Sequence, residues 1–430
     1  MARNRLVFLL FLLLASATAL PVHGSASLGS EEEIRSILER NRIELADLIR
    51  LADIANPELA LARSEIEARE GRARQAGLYP NPAIEFELGD ISSSDFSDRI
   101  EKVALVQPLV LSGRRGAAIS VAEADRLSAL ESFRSLRRDV IRRIHGLWAE
   151  HLYLREAKVT LGDLLAAANK TLDIAETRFE VRAAPESQVT KALLEVYKLD
   201  VTQKDMDLHK AKAAAELSAL LGGVELPIER LAGTLESESL AVEKLLLSAS
   251  LDEHPALKAA ELDIKAAEAS LSEAKATRIP DLELSLAYGR SRTKNTNFYE
   301  AGLSLPLPIF DRNQGRVAEC RSRVDAARER AQIVEGELQV ALQIARQRYL
   351  ALQDQLRVSL DRILPASERG FLQAQEGYRV GHLPILELID AQRTLAEIRL
   401  RVLELRKDLV LADADLVNLL SDGSYGDERN

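Results

Sequence analysis

The chain repeats its landmarks at a spacing of about 200 residues, and this duplication constrains its fold more than any other feature. Three prolines of the first half recur 198 residues later, and two further landmarks recur 199 residues later. The pairs are Pro57 and Pro255, Pro82 and Pro280, Pro108 and Pro306, Phe179 and Tyr378, and Pro185 and Pro384. A duplicated unit explains the 430 residues better than two unrelated domains would. We therefore expect each helix and strand of the first half to have a counterpart in the second.

Each unit is predicted to contain a helix, a β-hairpin and a pair of long helices, which makes the chain mainly α with a small β part. The hairpins are predicted at 83–109 and 281–305, where apolar and polar residues alternate, and a polar loop is expected at 289–297. Coiled-coil hairpins are predicted at 117–221 and 313–420. A seam in the second consists of apolar residues spaced three and four apart, namely Val324, Ala327, Ala331, Val334, Leu338, Ala341 and Ala345. Pro365 is expected to kink this rod or to mark a helix junction.

The ends of the chain complete the predicted division. Residues 1–26 resemble a signal peptide, with the basic residues Arg3 and Arg5 before an apolar stretch at 6–15. Cleavage is expected after Gly24 or Ala26. The first unit is then predicted at 27–223, the second at 224–421, and a flexible tail at 422–430.

Several classes of function are disfavoured by composition. A formal net charge of −10 disfavours nucleic acid as a partner. The single cysteine, Cys320, is expected to be a small buried residue. His145 and His151 lie on different helix faces and are expected to be solvated together with Glu150. No metal, phosphate or nucleophile motif occurs, so no enzyme activity, resident metal or cofactor is predicted.

The predicted strands point to a membrane and to an oligomer. No mature apolar run is long enough for a membrane-spanning helix, so an exported chain of this kind would span lipid only as a closed barrel. Two hairpins supply four strands, which cannot enclose a lumen. Two chains would supply eight strands and a lumen filled by side chains, whereas three would supply twelve and an open channel. The apolar set Ile84, Phe86, Leu88, Leu282, Leu284 and Leu286 would then face lipid. A soluble half-buried sheet is the alternative interpretation of the same alternation.

Ordered motifs along nearly all of the mature chain, from about residue 40 to 421, resemble the outer membrane efflux protein family, whose best-known member is TolC. They include the segments 77–82 (GLYPNP), 107–115 (QPLVLSGRR), 305–315 (LPLPIFDRNQG) and 378–381 (YRVG), followed by 390–392 (DAQ). The sequences of the first two segments are most similar to those of the cobalt–zinc–cadmium branch of the family. The resemblance implies a homotrimer with a twelve-stranded outer-membrane β-barrel over a periplasmic α-helical barrel. It also implies a periplasmic adaptor and an inner-membrane pump of the resistance–nodulation–division type as partners.

The resemblance also suggests site residues at the tips of the long helices. Acidic positions matching Glu387 and Asp390 ring the periplasmic entrance, and Tyr378 matches a residue that helps to hold it shut. Where some relatives have an arginine in the tip, this chain has Leu383 or its neighbour His382. The turns at 181–185 and 380–384 are expected to dock the adaptor, with the residues Val181, Arg182, Pro185, Arg379, Val380, Gly381 and His382. An ordinary solvated acidic face is the alternative interpretation of Glu387 and Asp390.

Glycines and prolines mark the passage from each hairpin to its long helix. Gly113 and Gly116 are predicted to form a swivel between barrel and tunnel in the first unit, and Pro306 with Pro308 in the second. The run Gly113-Arg114-Arg115-Gly116 is also compatible with anion binding at a helix start.

The sequence leaves three candidate functions. The first is a passive outer-membrane efflux channel, with heavy-metal cations as the expected substrate. The second is a soluble periplasmic coiled-coil scaffold. The third, an exported hydrolase, lacks every catalytic motif.

Overall fold

The computed structural model describes residues 26–89, 100–235, 250–292 and 294–420. The predicted signal peptide (apart from its last residue), the loop of the first hairpin at 90–99 and the tail at 422–430 lie outside the described residues.

The first half follows the predicted order of elements after two short helices that the sequence analysis missed. In chain order its elements are α1 (Ala26–Leu38), α2 (Leu45–Ala55), α3 (Pro57–Ala76), β1 (Ala83–Gly89), β2 (Ile100–Leu109), α4 (Arg114–Glu180) and α5 (Glu186–Leu220). The missed α2 has Leu48 and Leu51 fully buried, and they pack with Val140 of α4 in a cluster that includes Leu217 and Leu221. With 67 residues, α4 is a rod of about 100 Å.

The second half repeats this order. Its elements are α6 (Pro255–Ala276), β3 (Leu282–Ser291), β4 (Thr296–Ser304), α7 (Gln314–Val358), a π-helical turn (Ser359–Ile363), α8 (Leu364–Arg379) and α9 (Ile385–Leu420). The π-helical turn ends at Ile363, two residues before Pro365, which confirms a helix junction there. The predicted loop at 289–297 was too long, because the pairing of Gly289 with Phe298 continues to Ser291 with Thr296.

Helix starts show that the duplication extends to single hydrogen bonds. Asn56 precedes α3, and its Oδ1 accepts from the backbone N–H of Leu59 at 2.9 Å. His254 precedes α6 at the matching position, and its Nδ1 accepts from the N–H of Ala256 at 3.2 Å. Each cap satisfies one backbone donor that the helix leaves free, and a proline follows at the first helical position.

Packing confirms the coiled-coil character of the long helices. In α7 the predicted seam is the less exposed stripe, with Val324, Ala327 and Ala345 buried and the other four positions half-buried. The rod packs on α6 and α9, while α4 packs on α3, α5, α6 and α9. The helices α4 and α9 therefore carry the contacts that join the two halves.

The four strands form one antiparallel sheet in the order β1-β2-β3-β4. Within the sheet, the two units meet at the pair β2 and β3, which runs from Ile100 opposite Ser291 to Leu109 opposite Leu282. Strands β1 and β4 each have a partner on one side only within this sheet. Exposed backbone donors and acceptors along such edges favour pairing with another chain.

Candidate functional site

The two tip turns end the long helices at the same end of the molecule. In the first, Ala183 and Ala184 donate their N–H groups to the carbonyl oxygen of Arg178, at 2.7 and 3.1 Å. In the second, His382 and Leu383 donate to the carbonyl oxygen of Gly377 in the same pattern, at 2.8 and 3.0 Å. The matching positions Arg182 and Gly381 both have left-handed backbone, with φ of 58° and 83°. The two turns are therefore structural counterparts.

Both tips expose the residues that the resemblance suggested for docking. The side chains of Val181 and Val380 lie in solvent at matching positions of the two turns. The remaining predicted tip residues, Arg182, Pro185, Arg379, Gly381 and His382, are also exposed. Each of the two turns thus exposes one apolar side chain.

Tyr378 lies inside the tip, where it joins the two turns. Its side chain is 1% exposed and packs with Ala175, Ala192 and Ile385. The guanidinium group of Arg178 donates to the carbonyl oxygen of Tyr378 at 2.8 Å and stacks over its ring, 4.9 Å from the centroid. The tyrosine hydroxyl donates to Oε1 of Gln188 at 3.3 Å. Burial raises the pKa of Tyr378, so the hydroxyl stays a donor at neutral pH.

Glu387 and Asp390 lie on the exposed surface of α9, three residues apart and one turn above the tip. The structure thus brings both carboxylates to one face of one helix. Of the three residues predicted at the entrance, Tyr378 is buried, whereas Glu387 and Asp390 face solvent.

An ion pair that the sequence analysis missed lies next to these acids. Arg393 of α9 donates through Nε and Nη2 to one carboxylate oxygen of Glu195 in α5, at 2.8 and 2.5 Å. Glu195 is only 6% exposed, and this hydrogen bond raises the pKa of Arg393. The two residues lie on the two returning helices and are 198 apart, one residue short of the 199-residue offset of the tip landmarks, so they are not strict repeat counterparts. No repeat pattern in the sequence therefore identified the pair.

At the other end of the rods, contacts hold the junction between sheet and helices. Gly113, one of the predicted swivel residues, has φ of 70° and directly precedes α4, whereas Gly116 lies in the first turn of the helix. Arg114 pairs with Asp281 at 2.7 Å, and Arg115 donates to the carbonyl oxygen of Gly77 at 2.8 Å. The arginines therefore serve protein contacts at the helix start.

The corresponding junction of the second half uses a residue that the sequence analysis did not select. Asn313 has φ of 57° before α7, and its Nδ2 donates to the carbonyl oxygen of Ala274 at 2.7 Å. Pro306 and Pro308 lie in the exposed segment between β4 and α7. Left-handed backbone is favourable for Asn as well as Gly, which is why residue type alone did not reveal the match.

The sheet has one apolar and one polar face. Cross-strand pairing places Ile84, Leu105, Leu286 and Ala301 in one row of the apolar face. All the predicted lipid-facing residues lie on this face, and Phe86, Leu88 and Leu303 are among its exposed side chains. On the opposite face Lys102 forms ion pairs with Glu87 at 2.7 Å and with Glu300 at 3.4 Å. The pleat thus separates the two sets of side chains as the alternation predicted.

Two sequence expectations about single residues have different outcomes. Cys320 is buried beside Ala274 and Val317, as expected. His151 is 4% exposed rather than solvated, and burial lowers its pKa to about 4. The periodicity of one helix did not reveal that this position of α4 would be covered. Within the described ranges no group of three or more His, Cys, Asp or Glu residues is placed to hold a metal ion.

None of the helices described by the structure is both long and apolar enough to span a membrane. The sequence matches the family model of outer membrane efflux proteins twice, over residues 48–223 and 246–422, which together are most of the chain. This chain belongs to the outer membrane efflux protein family. Membership confirms the predicted efflux channel of the outer membrane, with long helices in the periplasm, over the soluble scaffold. Proteins of this family are transport components.

Individual members of the outer membrane efflux protein family are similar over most of their length. The cobalt-zinc-cadmium resistance protein CzcC of Cupriavidus metallidurans is 27% identical over 84% of this chain and 86% of its own. The nickel and cobalt resistance protein CnrC of the same organism is 26% identical over 67% and 69%.

Solved structures show the same fold. The crystal structure of CusC has a TM-score of 0.75 at 17% identity and covers 90% of this chain and 93% of its own. That of the outer membrane protein VceC of Vibrio cholerae has a TM-score of 0.72 at 19% identity, with 87% and 95% covered.

Proposed function

We propose that three copies of this chain form the outer-membrane exit of a tripartite efflux system that exports divalent heavy-metal cations. The observation that carries the proposal is the similarity over 84% of the chain to a protein named for cobalt, zinc and cadmium resistance. In this proposal a resistance–nodulation–division pump of the inner membrane supplies the energy, and a periplasmic adaptor joins it to the channel.

The open sheet supports the trimer. Its apolar face is exposed in one chain, and β1 and β4 each have a free edge within the sheet. Unpaired strand edges are not stable in hydrocarbon, so strands of neighbouring chains must complete the ladder. Three four-stranded sheets would close a twelve-stranded barrel with room for an aqueous lumen. Its apolar face would contact outer-membrane lipid.

Charge supports a cationic substrate. The polar face of the described strands bears the carboxylates Glu85, Glu87, Glu283 and Glu300, whereas Lys102 is its one basic side chain. In a closed barrel this face would line the lumen. At the other end of the path Glu387 and Asp390 are exposed at the tip. Carboxylate rings from three chains would attract cations and repel anions at both ends of the tunnel.

The tips support adaptor docking and a closed resting state. Val181 and Val380 expose apolar side chains at the end surface, where a helical hairpin of an adaptor would bury them. Behind them, the contacts of Tyr378 with Arg178 and Gln188 and the pair Arg393–Glu195 hold the two coiled-coil hairpins together. Opening of the entrance would require these contacts to separate.

The test is tolerance of cells to metals. The channel is expressed with the adaptor and pump of a heavy-metal efflux system, in a host without its own metal exporters. We expect the complete set to raise the inhibitory concentrations of Co²⁺, Zn²⁺ or Cd²⁺, while the same set without the channel does not. Raised tolerance to organic drugs with unchanged metal tolerance would refute the substrate. A detergent-purified protein with the mass of one chain would refute the trimer.

A further inference from the structure

The apolar sheet face ends in charged residues of both signs on the side away from the helices. Its cross-strand rows begin with Leu109 opposite Leu282, beside the helix junctions, and end with Glu101 opposite Arg290. The helices connect to the sheet at the Leu282 end, so the Arg290 row lies at the outer end. Between them the apolar band from Leu282 to Tyr288 is about 20 Å long at the usual rise per strand residue.

In β3 and β4 a pair of tyrosines separates the apolar band from the charged end. Tyr288 and Tyr299 are directly opposite each other, with ring centroids 5.3 Å apart, and both are exposed. Tyrosine is favoured where hydrocarbon meets head groups, because its ring is apolar and its hydroxyl is polar. The residues immediately beyond this row are therefore at the depth of lipid head groups.

Two arginines occupy that depth. Arg290 is exposed, and its Nη2 donates to Oδ1 of Asn295 in the hairpin turn at 2.8 Å. Arg292 follows the end of β3, and its Nη2 reaches both carboxylate oxygens of Glu101 at 3.2 and 3.3 Å. Glu101 belongs to the apolar face, so Arg292 is turned toward the same face. The two guanidinium groups retain donors that these contacts do not use.

We propose that Arg290 and Arg292 bind the phosphate groups of phosphorylated lipids in the outer leaflet of the outer membrane. A guanidinium group matches phosphate in a bidentate manner, and its attraction is strong beside low-dielectric hydrocarbon. The inference rests on the proposed barrel, because it requires the apolar face to contact lipid. Glu101 competes with phosphate for Arg292 and so limits the affinity.

The test measures binding of bisphosphorylated lipid A to the detergent-purified trimer by microscale thermophoresis. The double variant Arg290→Gln/Arg292→Gln is expected to bind about tenfold or more weakly, as for the loss of two charges at a lipid surface. The matched control is Arg346→Gln, which removes an exposed arginine from α7, far from the sheet. It is expected to leave the affinity unchanged. Glu101→Gln is expected to tighten binding, because it frees Arg292.

The outcomes separate this inference from the proposed channel. Equal lipid A affinity of the wild-type protein and the double variant, in trimers that conduct in a planar bilayer, overturns the lipid site alone. Weaker binding by Glu101→Gln overturns it as well, because the ion pair would then be only structural. Competition by inorganic phosphate at concentrations as low as those of lipid A overturns a lipid partner. A wild-type protein that neither trimerises nor conducts overturns the channel and the lipid site together.

Discussion

Replacing Leu286 by arginine tests the membrane assignment at the position where the cost should be greatest. Leu286 lies four residues from the Leu282 row and four from the Arg290 row, about 13 Å along the strand from either limit. It is 54% exposed in the single chain, and its neighbours in the row are Leu105 and Ala301. In the closed barrel this row would lie near the bilayer midplane, with Leu286 facing lipid.

The expected penalty follows from this depth. Arginine on the lipid face of a barrel costs about 2–4 kcal/mol at the midplane, and less near the interfaces. The trimer contains three copies, so the total is about 6–12 kcal/mol per assembly if the sites are independent. Ser285→Arg is the matched control, because it adds the same charge to the adjacent residue, whose side chain lies on the polar face. There the guanidinium group would remain in water near carboxylates.

The assay is urea titration of the protein folded into phosphatidylcholine vesicles, with trimer on unheated gels as the second measurement. We expect Leu286→Arg to lower the unfolding free energy strongly and to deplete the trimer. Ser285→Arg should change the unfolding free energy by about 1 kcal/mol or less. Equal effects of the two changes would refute the assignment of the faces, and a negligible effect of both would refute the membrane position of the sheet.

Three further predictions concern the entrance, the tip and a helix cap. Glu387→Gln with Asp390→Asn is expected to weaken divalent-cation block of single-channel current severalfold, and unchanged block would mean that these carboxylates do not line the entrance. Gly381→Phe is expected to abolish efflux in cells while trimers persist, because φ of 83° costs an L-residue about 1–2 kcal/mol and the ring alters the end surface; normal efflux would exclude docking at this turn. His254→Asn is expected to reduce the loss of thermal stability between pH 7 and 4.5. Burial lowers the pKa of His254 from 6.5 to about 4, so the unfolded chain binds the extra proton and stability falls as the pH drops from about 6.5 toward 4, whereas Asn56 caps the equivalent helix without titrating. The same loss of melting temperature in both proteins would contradict this reasoning.

Elements with a strong local pattern were predictable. The less exposed seam of α7 and the helix junction at Pro365 agree with the sequence expectation, because heptad spacing and proline act within one segment. The helices α1 and α2 were missed because each is short, and their place depends on burial against α4 and on the segment after α5. The bridge between Ile43 and Leu231 shows this dependence, since the two residues are far apart in sequence.

The site was only partly predictable. The turns at the tips, the positive φ of Gly113 and the facing direction of the strand residues follow from residue type and alternation. The burial of Tyr378, the stacking of Arg178 on it and the pair Arg393–Glu195 do not. Each of these contacts joins residues of different helices. The spacing of residues along one helix therefore did not indicate which of its polar side chains would be buried.

The sequence thus accounts for the duplicated order of helices and strands and for the two-faced character of the hairpins. Both are properties of neighbouring residues, since dihedral preference and side-chain periodicity act over a few positions. Which hairpin pairs with which, through β2 and β3, and which polar side chains become buried at the tip are properties of the folded chain. They depend on contacts between segments about 200 residues apart. The free energy of such a contact depends on both segments together and cannot be assigned to either sequence alone.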